Sequence, residues 1–156
     1  MCKRRAVSEP TKSWRCITSK AMRHFPVWAA ALWWGSLTTV GFFVVPLLFA
    51  HLPTPALAGA VAGKLFAAQT AVSVVCALLL LMAFRSNLAL APENIGSSAT
   101  LFVVGGALLA LLLEFGVSPR IIARDNLVLW HRVGTGMYVA QWLCAAVVFG
   151  KLSKRV

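Results

Sequence analysis

Few side chains in this 156-residue chain are able to do chemistry inside an apolar environment. Four are ionisable and lie within or beside long apolar stretches: Lys64, Glu114, His131 and Arg132. Three more are neutral and lie in the same stretches: Gln69, Tyr138 and Gln141. An ionisable group at membrane depth costs about 2.5–3.5 kcal/mol, so it marks a functional site by default. We predict that these residues form a polar cluster that binds a small solute, an ion or a partner.

A histidine in such a cluster is also a candidate metal ligand. A haem held by two histidines needs them to face each other from two helices, and the candidates here are His131 and His51. His51, however, falls in or beside a predicted turn. The cysteines show no CxxC or Cys/His spacing typical of a metal site. We therefore expect no cofactor, with a haem or copper site as the alternative.

Motifs of catalysis and nucleotide binding are missing from the sequence. It has no phosphate-binding loop, dinucleotide fingerprint, HExxH metalloprotease motif or nucleophile elbow. Only four residues are acidic, so general acid–base chemistry has few candidates. We predict that the protein is not an enzyme.

The elements that must position the cluster are long apolar helices. Hydrophobic residues make up 60% of the chain and charged residues 12%, against about a quarter in soluble domains. A membrane span needs roughly 20 apolar residues at about 1.5 Å rise each. Four blocks meet this requirement, which predicts an all-α bundle of four transmembrane helices, at about 25–50, 57–84, 98–115 and 126–150. We expect Pro46 to kink the first of them.

The two ends of the chain are basic and flank the predicted transmembrane domain at 25–150. The net charge is +11, and most of it lies in the tails at 1–24 and 151–156. Such clusters orient spans and contact anionic lipid headgroups, so we predict a bacterial inner-membrane protein with both termini in the cytoplasm and no nucleic-acid partner. Arg120 and Arg124 oppose this orientation, because their loop would lie outside. Residues 1–21, which precede Met22, are either a native segment or a dispensable extension.

Helical spacing predicts which polar side chains meet. On the second helix, Lys64 continues a stripe of small residues that begins at Ala60. On the third, Gly106 and Ala110 lead in steps of four to Glu114. Small residues let helices approach closely in lipid, so we predict an ion pair between Lys64 and Glu114.

The last helix carries a polar and aromatic arc in an otherwise apolar sequence. At about 100° per residue one narrow arc contains His131, Thr135, Tyr138, Trp142 and Ala145, with Gln141 at its edge. We expect this arc to face the bundle interior, with Gln69 as a partner. Arg132 is predicted to point away from it and to reach the interface or an acidic residue.

The stretch 31–66 resembles the first motif of the transmembrane protein 205-like family, whose bacterial members are labelled a domain of unknown function (4149 type). The matching residues are Trp34-Gly35, Pro46, Phe49-Ala50, Gly59, Gly63, Lys64 and Phe66. The family's second motif is similar to Ser118-Pro119, Arg124 and His131. The resemblance covers about residues 25–150 and implies a four-helix membrane protein without an established activity. His51 is not part of the pattern.

Three hypotheses about function follow. The first is a non-enzymatic membrane protein whose polar cluster, at the non-cytoplasmic end, binds a small solute, an ion or a partner. The second is a haem- or copper-binding redox or metal-handling protein that uses His131. The third is a structural subunit of a larger membrane complex. Four helices make a narrow bundle, so a homo-oligomer is also considered.

Overall fold

Six α-helices and two π-helical segments build the protein in a computed structural model that describes residues 11–87, 93–123 and 126–154. In chain order they are α1 (Thr11–Thr38), the π segment π1 (Thr39–Val44), α2 (Val45–His51), α3 (Pro55–Asn87), α4 (Glu93–Leu112), the π segment π2 (Leu113–Val117), α5 (Ser118–Ile122) and α6 (Leu127–Ser153). Four membrane spans are long and apolar enough to cross a bilayer: His24–His51, Pro55–Arg85, Ser98–Ile122 and Leu127–Ser153. The described part of the chain contains no strand. The prediction of an all-α four-transmembrane-helix protein is confirmed.

Local sequence explains where two of the spans begin. The hydroxyl of Thr54 accepts a hydrogen bond from the backbone N–H of Leu57 at 3.3 Å, and Pro55 follows Thr54 as the first helical residue of α3. Both residues are favourable there. The threonine hydroxyl accepts a hydrogen bond from a backbone N–H that has no partner within the helix, and proline has no N–H that would be left without one. Asn126, before α6, takes a left-handed conformation with φ 41°, which asparagine tolerates better than most residues. These positions end the turns and start the spans.

Each π segment lies just before a proline. π1 ends two residues before Pro46, and π2 ends two residues before Pro119. A proline ring clashes with the carbonyl four residues earlier, and a wider helical turn relieves that clash. The irregularity expected at Pro46 is therefore present as a π segment, and the second π segment, before Pro119, is not expected from the sequence.

The four spans form a ring in which each contacts two neighbours. α1 packs on α3 and α6, and α4 packs on the same two helices. α3 and α6 consequently face each other across the bundle. This arrangement brings side chains of α1, α3 and α6 together in the middle.

The hydrophobic core occupies one half of the bundle, the half in which α1 begins and α6 ends. The large side chains that are fully buried belong to this half: Trp33, Leu37, Leu80, Val103 and Val148. In the other half α2 has no buried residue, and it packs on α3 without substantial contact to α6 in the described structure. The bundle is therefore tight at one end and open at the other.

The predicted helix limits differ from the observed ones mainly at their ends. The first helix starts at Thr11, inside the segment predicted as a tail, because no proline or glycine interrupts the chain between Thr11 and Phe25. The third span starts at Ser98, as predicted, although its helix α4 already begins at Glu93. It continues through π2 and α5 to Ile122, past the predicted limit at 115. The second and fourth spans extend two or three residues beyond prediction at most of their ends. The differences arise because helices continue into polar residues once hydrogen bonding is established.

Candidate functional site

A buried hydrogen-bond network joins three helices at the middle of the bundle. The Gln69 side-chain amide on α3 donates to the Ser36 hydroxyl on α1 at 2.9 Å and to the Ser73 hydroxyl at 3.5 Å. From α6 the Gln141 amide donates to the same Ser73 hydroxyl at 3.0 Å. Gln69, Ser73 and Gln141 are 5%, 0% and 2% exposed. The Ser73 hydroxyl, which itself donates to the Gln69 backbone carbonyl at 2.9 Å, is the shared acceptor of the network.

Two further hydrogen bonds tie α6 to the end of α1. The Tyr138 hydroxyl donates to the backbone carbonyl of Leu37 at 2.7 Å, and the Trp142 indole donates to the Thr38 hydroxyl at 2.9 Å. The Tyr138 ring also meets Phe66 edge-on, with ring centroids 5.3 Å apart. These contacts lie where α1 passes into π1. They mark the boundary between the packed half and the open half of the bundle.

Removing the Tyr138 hydroxyl is expected to weaken the contact between α6 and α1. In the Tyr138→Phe variant the ring remains, but the Leu37 carbonyl loses its donor from α6. A neutral hydrogen bond contributes about 0.5–1.5 kcal/mol, so we expect a loss of that size in the free energy of unfolding. Denaturant titration of the purified protein in mild detergent measures it. A variant as stable as the wild type would show that this bond contributes nothing to stability.

The polar and aromatic arc of α6 divides between the core and the open half. Tyr138, Trp142 and Ala145 pack against the core, as predicted. His131 and Thr135 lie on the same arc but are exposed, because α2 does not cover this part of α6. α2 and α6 thus have no substantial contact in the described structure. We call the uncovered face of α6 beside α2 the cleft; it carries His131 and Thr135 and ends on the core side at Tyr138 and Trp142.

The predicted ion pair between Lys64 and Glu114 does not form, since neither side chain makes an ion pair with any described residue. The buried residues of α3 in this region are Ala58 and Ala62, and Lys64 is two positions after Ala62. Two positions correspond to about 200° around a helix, so Lys64 points outward, where it is exposed. Glu114 follows the buried Ala110 by four positions, and it is half-buried in π2. α3 does contact π2, although Lys64 and Glu114 do not pair.

Both histidines of the open half hold their rings in the same way. His131 Nδ1 is 3.2 Å from the Leu127 carbonyl, and His51 Nδ1 is 3.0 Å from the Leu47 carbonyl. When the neutral ring carries its proton on Nδ1, the hydrogen bond to the carbonyl leaves Nε2 as the atom that can accept a proton or bind a metal. In the described ranges no group of three or more His, Cys, Asp or Glu residues converges. Any metal site here would thus depend on the histidines alone or on added ligands.

Arg132 is exposed, as expected for a residue outside the inward arc. It borders a shallow, almost entirely apolar depression together with His131, Leu127 and Val128. Neither an ion pair nor a hydrogen bond to another described residue involves its side chain. Within the described ranges, its guanidinium thus makes no polar contact that would compete with an external anion.

Ser36 and Ser73 take part in the buried network, and Thr38 accepts the separate bond from Trp142. None of these three hydroxyls is expected from the sequence. The spacing held one usable signal, because Gln69 and Ser73 are four residues apart and share a helix face. Ser36 and Thr38 lie in a stretch where nothing distinguishes them from hydroxyls that bond their own helix. Each in fact also donates to its own helix, Ser36 to the Trp33 carbonyl and Thr38 to the Trp34 carbonyl.

Four apolar spans around a buried polar layer define a multi-pass helical membrane protein. Within that class, the model of a family described as a domain of unknown function (DUF4149) matches residues 28–126, and the chain belongs to this family. The match includes Ser36, Gln69 and Ser73 but ends before α6. No curated protein and no solved structure matches the chain.

Proposed function

We propose that this protein is a non-enzymatic inner-membrane protein that binds a small solute in the lateral cleft between α2 and α6. The solute would have an apolar body and an anionic group. The relation to transmembrane protein 205-like proteins and the cytoplasmic location of both termini are parts of the same proposal. The buried network of Ser36, Gln69, Ser73 and Gln141 would be the scaffold beneath the site.

One observation carries the proposal. His131 and Thr135 share an arc of α6 with Tyr138 and Trp142, yet they are exposed while the latter two pack against the core. The Thr135 hydroxyl donates to the His131 carbonyl at 2.8 Å, and His131 Nδ1 faces the Leu127 carbonyl. His131 Nε2 is therefore the polar atom of this face with no partner among the described residues, and lipid tails offer it no hydrogen bond.

The chemistry of the cleft supports an amphiphilic solute. Its inner end is aromatic, with Phe42 meeting the Trp142 ring edge-on at 5.6 Å between centroids. Its outer end has the imidazole of His131, and Arg132 follows on the adjoining face of α6. An apolar body would contact the rings, and an anion would be held at the His131–Arg132 end. Pockets that combine an apolar lining with a few polar groups are typical of small-molecule sites.

Decanoate and decanol provide a matched pair of probes, since they differ in charge but share a chain length. Binding to the folded state raises its stability according to ligand concentration and affinity. We expect decanoate to raise the thermal midpoint of the wild type in mild detergent more than decanol does. The variants His131→Ala and Arg132→Gln should lose the difference between the two probes. Arg85→Gln, which removes a charge at the other end of the bundle, should retain it.

Two results would contradict the proposal. The first is an equal response to decanoate and decanol in the wild type, since the anion would then play no part. The second is a response in His131→Ala and Arg132→Gln that equals the response of Arg85→Gln. In that case the anion binds elsewhere on this basic protein.

A second candidate function is supported by the orientation of the two imidazoles. Because His131 and His51 each direct Nδ1 at a backbone carbonyl, each can present Nε2 to a haem or copper ion. An absorption spectrum and metal analysis of the purified protein test this candidate. A haem band or stoichiometric copper that disappears in His131→Ala would support it, and a colourless protein without copper would exclude it.

A further inference from the structure

The first span is interrupted at π1, and the short helix α2 that follows is only loosely attached to the bundle. Neither π1 nor α2 has a buried residue. Just before π1, the bonds that Leu37 and Thr38 accept from Tyr138 and Trp142 fix α1 to α6. At its other end α2 is released into a turn, because the backbone of Leu52 is extended. α2 therefore lies between a fixed end and a turn.

The two π segments are packed differently. Val117 of π2 is buried, and π2 packs on α3 and α6. π1 touches α6 through the backbone of Gly41, which lies against the Tyr138 ring, and through the ring of Phe42, which is 51% exposed. A change in π2 would therefore displace a buried side chain, whereas π1 can change without unpacking one.

The register of α2 depends on π1. A π turn holds about one residue more than an α turn, because its hydrogen bonds run from i to i+5. One residue corresponds to about 100° of rotation around an α-helix. Conversion of π1 to α-helix would thus rotate α2 about its own axis by roughly 100°, about one residue step. Because the α turn advances further per residue, each side chain would take the direction that the next one has now.

This rotation would change which side chains of α2 face the bundle. The half-buried positions here are Val45, Leu48 and Leu52. The side chains that would take their directions are Val44, Leu47 and His51. Leu47 is 55% exposed in this structure, and His51 is exposed as well. An apolar and a polar side chain would therefore turn from the outer side of α2 into the open half.

Opposing effects act on the two rotations. Pro46 favours the π form, because in a regular helix its ring clashes with the carbonyl four residues earlier, that of Phe42. The contact of Phe42 with Trp142 also belongs to the π form. His51 favours the α form, since ionisable side chains in membrane spans mostly face the bundle interior rather than lipid.

We propose that π1 is a conformational switch that rotates α2. In the π form, described here, Leu47 and His51 point outward and the cleft is open. In the α form both side chains turn inward and narrow the cleft, so that α2 acts as a rotating lid. The switch is a property of the helix itself and does not depend on which solute, if any, the cleft binds.

Two variants separate the rotation of α2 from other effects of mutation. Pro46→Ala removes the clash that favours the π form. The control combines Pro46→Ala with deletion of Phe43, which is 62% exposed. Deletion takes out the extra residue of the π turn, so the helix becomes regular while α2 keeps the rotation described here.

The rotation is measured as a distance across the bundle. Spin labels are attached at Leu47→Cys on α2 and at Phe115→Cys on π2, after the four native cysteines have been replaced by alanine. π2 belongs to the span diagonally opposite the first one, and Phe115 is 75% exposed. Double electron–electron resonance on the labelled protein in mild detergent gives the distribution of distances.

We expect two distances in the protein that retains Pro46, a long one from the π form and a minor one several ångströms shorter. Pro46→Ala should shift the population to the short distance, because Leu47 then points inward. The control with Phe43 deleted should show the long distance alone. The protein that retains Pro46 remains informative if either variant folds poorly.

Three outcomes would overturn the proposal. A single long distance in the protein that retains Pro46 would mean that α2 is locked in the π form. An unchanged distribution in Pro46→Ala would mean that Pro46 does not control the rotation. A short distance in the control with Phe43 deleted would mean that the movement of Leu47 does not come from conversion of π1.

Discussion

Replacing Gly106 by alanine is expected to destabilise the protein by about 1–3 kcal/mol, the usual cost of overfilling a packed core. A Cβ at Gly106 would lie 2.7 Å from Cη2 and 2.9 Å from Cζ2 of Trp33, and 3.4 Å from the Cβ of Cys144. Trp33 is fully buried in the tight half of the bundle, so its ring cannot move out into solvent or lipid to avoid the added methyl group. The clash is therefore relieved only if α4 moves away from α1 and α6.

Gly105 provides the control at the adjacent position. A Cβ at Gly105 would meet nothing within 4 Å. Alanine is favoured over glycine in a helix by about 1 kcal/mol, so Gly105→Ala should be neutral or slightly stabilising. The two variants have the same composition, and denaturant titration in mild detergent compares them directly. Equal free energies of unfolding would show that Trp33 does not pack against α4 as described.

A double variant tests the contact itself. Trp33→Phe shortens the ring that Gly106→Ala meets. The Trp33 indole nitrogen has no hydrogen-bond partner among the described residues, so replacing it by phenylalanine removes no hydrogen bond seen there. We expect the cost of Gly106→Ala to be smaller in the Trp33→Phe background than in the wild type. Additive costs would mean that the two residues are not coupled.

Ser73→Ala is the second change with a large expected effect. The Ser73 hydroxyl accepts hydrogen bonds from Gln69 and Gln141, so its loss affects amides on two helices. An unsatisfied buried polar group costs about 1–3 kcal/mol, while hydrogen bonds between membrane helices average about 0.6 kcal/mol with a maximum near 1.7. We expect a loss of about 1–2 kcal/mol in the free energy of unfolding, in the middle of these ranges.

The matched control is Thr39→Ala. The Thr39 hydroxyl donates to the carbonyl of Gly35 in its own helix, and the residue is exposed. Its loss should change stability by no more than about 0.5 kcal/mol, as for most surface substitutions. A cycle that combines Ser73→Ala with Gln141→Leu isolates the interhelical bond. If Ser73→Ala costs no more than Thr39→Ala, the buried network does not stabilise the bundle.

The last helix shows how far helical spacing predicts a site. The arc containing Tyr138, Trp142 and Ala145 was predicted to face inward, and these residues do pack in the core. The same spacing predicted an inward His131, which is exposed. Periodicity describes one helix at a time. It contains no information about the place where π1 and α2 turn away from α6.

The second helix shows a related limit. Its stripes of small residues, one containing Gly59 and Gly63 and the other Lys64, are about equally plausible contact faces by spacing alone. Packing selected the face with Ala58, Ala62 and Gln69, because that face lets Gln69 reach Ser36 and Ser73. Lys64 was left outside, and the predicted pair with Glu114 was lost.

The number of spans, their approximate limits and the polar residues within them follow from the order of residues alone. Span length is a property of consecutive residues, and the thickness of the bilayer sets it independently of fold. The rotation of each helix, the sharing of Ser73 by two glutamines and the cleft beside His131 became visible only in the packed bundle. They depend on contacts between residues that are far apart in the chain, which the spacing of residues within one helix does not contain.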